Sequence, residues 1–256
     1  LEKSFVQNPG IIQQCIDLIK QAQVTVALTG AGISTSAGIP DFRGPKGLYV
    51  TRQYDPDKVF DYHSFRRDPE PFYEFARDFI ELETKLKPTL THKVLARMES
   101  EGKLQAVITQ NIDALHQQAG SRNVLEMHGS FWCSFCLNCR QEYSYTQLKD
   151  MLRNDPIPHC HCGAVIKPDI VFFGEDVKHF SEAASWAKQA DLFLVIGTSC
   201  VVYPAALLPT LTQGKIIIIN RDPVHLPIAG DVLMVESDID AFFQMIDQPR
   251  FSASKI

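Results

Sequence analysis

A chain of 256 residues, 45% of them hydrophobic, can bury one large domain or one core with a smaller insertion. A net charge of −5 and a pI of about 5.9 exclude a broadly basic, nucleic-acid-coating surface, so no specific nucleic acid is expected as a partner. No apolar run is long enough to span a membrane, the opening Leu1-Glu-Lys-Ser segment carries no signal-peptide pattern, and seven cysteines, four of them clustered, fit a reducing, cytoplasmic setting.

Ile11, Ile12, Cys15, Ile16 and Ile19 recur at helical spacing and predict an opening helix. A short apolar strand, Val24–Leu28, then runs into Gly30-Ala-Gly-Ile-Ser-Thr-Ser-Ala-Gly-Ile-Pro-Asp-Phe-Arg-Gly44. Gly30, Gly32 and Gly38 allow a tight turn and close approach to a ligand, and a strand that breaks through such a loop into a helix is a phosphate-binding arrangement. The G-x-G-x-x-G fingerprint is imperfect, because Thr35 stands at its third glycine. Asp41, Phe42 and Arg43 add an acid, an aromatic face and a permanent cation beside that loop.

Residues 45–88 break the alternation of strand and helix. Phe72, Phe75, Ala76, Phe79 and Ile80 share one helical face there, which reads as a helical insertion. Helix Thr91–Ser100, strand Ala106–Thr109 and strand Val124–Met127 follow. Beyond the cysteine cluster come helix Phe180–Gln189, strand Leu192–Ile196, a helix Tyr203–Leu211 with Pro204 in its first turn, and strands Lys215–Asn220 and Val232–Val235. Ser237-Asp-Ile-Asp240 reads as a capping box before helix Ala241–Ile246. Continuous apolar strands separated by helices predict an α/β fold, a doubly wound, Rossmann-like parallel sheet with ligands at the carboxyl ends of its strands. The expected division is 1–44, 89–128 and 169–256 for the sheet domain, 45–88 for the helical insertion and 129–168 for a zinc-ribbon module, with a cleft between them.

Cys136-x-x-Cys139 and Cys160-x-Cys162 form two knuckles that suit one tetrahedral zinc. His159 or Cys133 is the alternative to one member of that set. Four thiolates leave no open position, so the metal is expected to be structural. Gln110-Asn-Ile-Asp113 ends a strand and either points carboxamides and a carboxylate into the cleft or merely forms a turn. His116, one helical turn on, reads as structural. His128 ends the next strand; such a histidine is often structural, but its position beside the cleft suits a general base. Gly197-Thr-Ser199 offers a second loop for phosphate or ribose, and Asn220 can meet a ribose hydroxyl or an adenine edge.

In this order, Gly30-Ala-Gly-Ile-Ser34, Gly38-Ile-Pro-Asp-Phe-Arg-Gly44, Gln110-Asn-Ile-Asp113, His128-Gly129, the paired cysteines, Lys167-Pro-Asp-Ile-Val-Phe-Phe-Gly-Glu175, Gly197-Thr-Ser199 and Asn220 resemble the sirtuins, NAD-dependent protein-lysine deacylases. The resemblance runs from about Ile11 to Ile246 and is nearest to compact bacterial and archaeal members. The tight second knuckle and the extra Cys133 depart from the pattern and bear only on the zinc ligands.

The resemblance implies NAD as co-substrate, with its pyrophosphate on the loop of Gly30, Ala31 and Gly32 and its adenosine near Gly197, Thr198, Ser199, Asn220 and Arg221. Asp41, Phe42, Arg43, Gln110 and Ile112 belong to the same implied site. Asn111 and Asp113, with Ala31 and Ile39, would form the nicotinamide pocket. Acetyl-lysine proteins or peptides would enter a tunnel past Val171, Phe172, Phe173, Gly174 and Glu175, with the Val171 backbone holding the side-chain amide. The implied catalytic residues are His128 and Asn111. The acyl oxygen attacks C1′ and expels nicotinamide, His128 takes a ribose proton, and water completes the release of lysine and O-acetyl-ADP-ribose. The same family implies that succinyl preference needs a Tyr followed three residues later by Arg; here Tyr73 is followed by Ala76, with Arg77 one residue too late. Protein mono-ADP-ribosyl transfer on the same NAD site is the alternative activity, and a non-catalytic NAD-sensing module a third reading.

Overall fold

A computed structural model describes residues 9–41, 54–83, 85–227 and 231–247. Helix α1 (Pro9–Gln21) leads into strand β1 (Thr25–Thr29), which continues as a 3₁₀ turn over Ala31–Ala37. Helices α2 (Pro56–Val59), α3 (Tyr62–Arg67), α4 (Glu70–Glu83) and α5 (Leu90–Ser100) precede β2 (Ala106–Thr109), α6 (Leu115–Ala119) and β3 (Val124–Glu126). A smaller unit holds β4 (Gly129–Cys136), β5 (Glu142–Ser144), α7 (Tyr145–Asn154) and β6 (Ile166–Ile170). The chain closes with α8 (Phe180–Gln189), β7 (Leu192–Ile196), a 3₁₀ segment at Ala205–Thr210, β8 (Lys215–Asn220), β9 (Val232–Glu236) and α9 (Ile239–Ile246).

The main sheet has the order β3-β2-β1-β7-β8-β9, and every pairing in it is parallel. This is the doubly wound order, in which the winding reverses between β1 and β7. Period-two alternation sends successive residues to opposite faces. Leu192, Leu194, Ile196, Ile217 and Ile219 join a core with α1, α5 and α9, whereas Phe193, Val195, Ile216 and Ile218 join a second core with Ala183, Ala187 and Leu208. Both faces are therefore covered, which is why these strands read as unbroken apolar runs.

A third core is mostly aromatic. Phe60, Phe65, Phe72, Tyr73, Phe75 and Phe79 from the helical insertion pack with Phe131 and Ile166 from the smaller unit and with Phe172 just after it. Phe172 lies 4.9 Å from the Phe72 ring and 5.3 Å from Phe65, centroid to centroid. Each such fully buried side chain contributes roughly 1.5–3 kcal/mol, so the insertion and the smaller unit are fused by burial rather than joined only through the sheet domain.

Two end signals differ from the sequence reading. The N-cap of α9 is Asp238, whose carboxylate accepts from Ala241 N, while Ser237 bonds the Asp238 carbonyl. The cap sits one residue later than the Ser237 box, and Asp240 is free to tie α9 to Thr91 and Ser36 instead. The predicted Tyr203–Leu211 helix is a 3₁₀ segment capped by Pro204, with Pro209 inside it; Pro209 cannot donate to an α-helical ladder. Among the described residues, no helix is long and apolar enough to cross a membrane.

Candidate active site

The parallel register brings the carboxyl ends of three strands to one level: Thr29 of β1 lies opposite Thr109 of β2 and Ile196 of β7. The residues that follow, Gly30, Gln110 and Gly197, therefore meet at the reversal point of the sheet. Gly32 N donates to Gly197 O at 2.9 Å, and a Cβ on Gly32 would lie 2.8 Å from Gly197 Cα. Gly197 has a φ of +62°, and its own Cβ would fall 2.7 Å from Ile33 N. Only glycine lets the two loops touch this closely. Gln110 Nε2 adds a 2.9 Å bond to Thr198 Oγ1, closing the crevice floor.

Ser34, Asn111 and Asp113 form a buried polar knot under the turn. Ser34 Oγ donates to Asp113 Oδ2 at 2.6 Å and accepts from Asn111 Nδ2 at 3.2 Å. Asn111 Nδ2 also reaches the Gly30 carbonyl at 3.2 Å, and Asp113 Oδ1 accepts from Leu115 N at 3.0 Å. Ala31 opens the 3₁₀ turn, Ile39 N bonds the Ser34 carbonyl at 3.3 Å, and Ile112 packs on the aromatic core. Asp41 is half-buried at the end of this segment. Phe42 and Arg43 lie outside the described residues. Ser199 is exposed on the β7 loop; Asn220 ends β8 with its side chain bonded to the Asp222 carbonyl, and Arg221 makes an exposed pair with Asp238.

His128 stands between the crevice and the smaller unit. Gly129, at a φ of +65°, lets the chain turn here; a Cβ would overlap the Asp169 carbonyl. His128 Nδ1 lies 2.9 Å from the Gln110 carbonyl. A carbonyl only accepts, so Nδ1 carries the proton and Nε2 keeps a free lone pair. Burial lowers the His128 pKa below its ordinary value, partly offset by that carbonyl. The imidazole is thus neutral, and basic at Nε2, at neutral pH.

The His128 carbonyl accepts from Val171 N at 2.9 Å, which fixes the segment Val171–Glu175, just after β6, beside the imidazole. Phe173 N donates to Phe60 O at 2.7 Å, and Phe173 O accepts from Tyr62 N at 3.0 Å. Lys167 Nζ bonds Ile170 O at 2.6 Å and Glu175 Oε2 at 2.8 Å, while the same carboxylate oxygen accepts from Phe172 N at 2.9 Å. Phe172 is buried, Gly174 turns with a positive φ, and Phe173 stays 47% exposed at the rim.

The four sulfurs of Cys136, Cys139, Cys160 and Cys162 lie within 4.8 Å of one another. Cys136 and Cys162 are 3.4 Å apart, and Cys139 and Cys160 3.5 Å. A tetrahedral zinc with bonds of about 2.3 Å needs sulfur edges of about 3.8 Å, so one ion fits this thiol set. Cys133 lies apart in β4, and His159 Nδ1 bonds the Ile157 carbonyl.

Two residues of this constellation were not singled out by sequence reasoning. A loop serine such as Ser34 carries no signal beyond turn formation. Lys167 lies in β6, whose five residues also include Asp169 and Pro168, so it carried no clear apolar-strand signal either.

The sequence model of the Sir2 family matches residues 30–204. The NAD-dependent protein deacetylase of Thermotoga maritima is 44% identical over 215 residues, covering 82% of this chain and 86% of that protein. A solved Sir2–p53 peptide–NAD+ complex superposes with a TM-score of 0.84 at 39% identity, covering 92% of this chain and 96% of that one. A Sir2 structure with a deacetylated p53 peptide and 3′-O-acetyl ADP ribose reaches 0.86 at 40% identity, with the same coverage. With about two thirds of its length inside the family match and relatives over 40% identical across most of the chain, this chain belongs to the Sir2 family.

Proposed function

We propose that this protein is an NAD-dependent protein-lysine deacetylase that releases nicotinamide and moves the acetyl group to ADP-ribose. The observation that carries the reading is the place of His128. Its ring is anchored to Gln110 at the dinucleotide crevice, and its own carbonyl anchors Val171 in the segment that follows β6. One residue thus joins the position for NAD to the position for acyl-lysine.

In this reading, the Gly30, Ala31 and Gly32 turn meets the pyrophosphate with backbone N–H groups. Thr198, Ser199, Asn220 and Arg221 line the adenosine side. Asn111 and Asp113, held by Ser34, orient the nicotinamide amide together with Ala31, Ile39 and Ile112; Asp41, Phe42, Arg43 and Gln110 complete the site. Val171 offers its carbonyl to the acyl-lysine N–H, and Phe172, Phe173, Gly174 and Glu175 shape and brace the entry segment. His128 Nε2 removes a proton from a ribose hydroxyl, a role in which a general base typically contributes about 10²–10⁴ in rate. Cys136, Cys139, Cys160 and Cys162 would hold one structural zinc, which closes the knuckles and leaves no ligand position for chemistry.

The division into residues 1–44, 89–128 and 169–256, with 45–88 as insertion and 129–168 as zinc module, belongs to this proposal; an aromatic core distinct from the two sheet cores supports setting the sheet domain apart, although that core joins the insertion to the zinc module, Phe172 packs into it and β6 crosses the last boundary. A cytoplasmic setting is the matching proposal for location, supported by the absence of disulfides among the described cysteines.

The test is to incubate the protein with NAD and an acetyl-lysine peptide and follow all products by mass spectrometry. Nicotinamide, free lysine peptide and acetyl-ADP-ribose in equal amounts are expected. ADP-ribose attached to protein, with the peptide still acetylated, would select mono-ADP-ribosyl transfer instead.

A further inference from the structure

A buried charge sits in the strand that leads to the proposed acyl-lysine segment. Lys167 of β6 is only 7% exposed. Its ammonium faces three oxygens: Ile170 O at 2.6 Å, Glu175 Oε2 at 2.8 Å and Pro168 O at 3.4 Å. Three acceptors match the three N–H groups of a charged lysine. The buried Phe172 ring covers the same ammonium, its centroid 4.0 Å from Nζ. Burial lowers the Lys167 pKa, and the Glu175 carboxylate raises it part of the way back.

The partners of the pair close a turn. Glu175 Oε2 also accepts from Phe172 N at 2.9 Å, and Glu175 N donates to Phe172 O at 3.0 Å. Lys167 therefore holds both ends of the turn over residues 170–175, one through the Ile170 carbonyl and the other through the Glu175 carboxylate. The outward anchors of the turn are separate: Val171 N donates to His128 O, and Phe173 pairs with Phe60 and Tyr62. Replacing a buried ion pair by apolar side chains of similar volume is often neutral or stabilising. This pair is better explained by the geometry it imposes, because each oxygen must lie where an N–H of the ammonium points.

We propose that Lys167 and Glu175 are positioning residues that clip the turn over residues 170–175 into the shape that presents Val171 to acyl-lysine. The clip rests on the bonds above; its role toward acyl-lysine rests on the functional reading.

The experiment uses the full chain with Lys167→Met, with Glu175→Leu and with both substitutions together. Glu175 is the less buried partner, so Glu175→Leu keeps the test open if Lys167→Met does not fold. Amide hydrogen exchange without ligands should quicken about tenfold or more over residues 171–175 and stay unchanged over Leu192–Ile196. KM for the acetylated peptide should rise about tenfold or more while KM for NAD holds. The double variant should melt no lower than Lys167→Met, since it leaves no unpaired charge buried, yet its peptide KM should stay raised. Wild-type exchange over residues 171–175 in Glu175→Leu overturns the clip. Faster exchange with a wild-type peptide KM, equal shifts in both KM values, or a double variant that regains stability and peptide KM together overturns the positioning role. A wild-type chain without NAD-dependent turnover overturns the functional reading, and with it the role toward acyl-lysine, while the exchange data still decide the clip.

Discussion

Ser34→Ala removes a single oxygen from the knot beneath the proposed nicotinamide pocket. Ser34 and Asp113 are 1% and 4% exposed, so water does not readily replace the lost hydroxyl. Asp113 loses its 2.6 Å donor and keeps only Leu115 N among the bonds described, while Asn111 loses one of its two acceptors. A hydrogen bond to a charged group contributes about 1.5–3 kcal/mol, and orphaning a buried group costs a similar amount. In a chain of this size, 1 kcal/mol moves the Tm by about 2–4 °C, so a fall of roughly 3–10 °C is expected. The functional effect is directional. With Asn111 and Asp113 no longer fixed, KM for NAD should rise about tenfold or more, and inhibition by free nicotinamide should weaken in parallel. KM for the acetylated peptide should hold, because Val171 is anchored by His128 rather than by Ser34. Steady-state titration of NAD, peptide and nicotinamide, beside a thermal melt, reads all three. A double-mutant cycle with Asp113→Asn should show strong coupling. The reasoning fails if Ser34→Ala melts lower yet keeps wild-type NAD and nicotinamide behaviour.

Three further outcomes follow from the same geometry. Cys162→Ala should lose zinc and much of the fold, since metal binding energy of order 10 kcal/mol is folding energy in such modules, whereas Cys133→Ser should keep about one zinc per chain by elemental analysis; the reverse pattern would replace the ligand set. Acetyl-lysine should exceed succinyl-lysine by at least about tenfold in kcat/KM. Ala76 is buried, Arg77 is committed to the Pro156 carbonyl and the Tyr73 hydroxyl to the Ile166 carbonyl, leaving an acyl carboxylate unpaired in an apolar wall; equal turnover of one peptide in both forms would sink this. Stability should fall in mild acid. The folded-state pKa of His92 lies at about 4, below its unfolded value of 6.5, so its contribution is complete above pH 6.5 and is lost as pH falls towards 4. His92→Gln should flatten the Tm between about pH 7 and pH 5, and an unchanged slope would contradict a buried neutral ring.

The sheet was legible because both of its faces are covered. Leu192–Ile196 and Lys215–Asn220 carry apolar residues at nearly every position, and only a strand between two cores needs that pattern. The polar residues at strand ends were legible for a related reason: in a parallel sheet every carboxyl end converges on one crevice, so Gln110, His128 and Gly197 could be placed together before their contacts were known. The smaller sheet was not read as strands. Gly129–Cys136 mixes buried and exposed positions, and β5 and β6 pair with it across a chain closed by the cysteines rather than by a hairpin signal. The shared aromatic core was also hidden, because periodicity reveals the face that Phe72, Phe75 and Phe79 present but not what covers it. His92 looked like any helical residue; only its burial against His116, with two nitrogens unserved, sets it apart.

In the proposed mechanism, His128 divides the chemistry into a step before it and a step that needs it. On that proposal, nicotinamide release would require the crevice and the acyl-lysine segment but not a base at Nε2, whereas acetyl transfer to ADP-ribose would require that base. His128→Ala, measured with NAD, acetylated peptide and labelled nicotinamide, should therefore retain much of the nicotinamide exchange while deacetylation falls about a hundred- to ten-thousand-fold. Deacetylation at the wild-type rate, or loss of exchange and deacetylation by the same factor in a variant that folds and binds NAD, would contradict the assignment of His128 and the mechanism built on it.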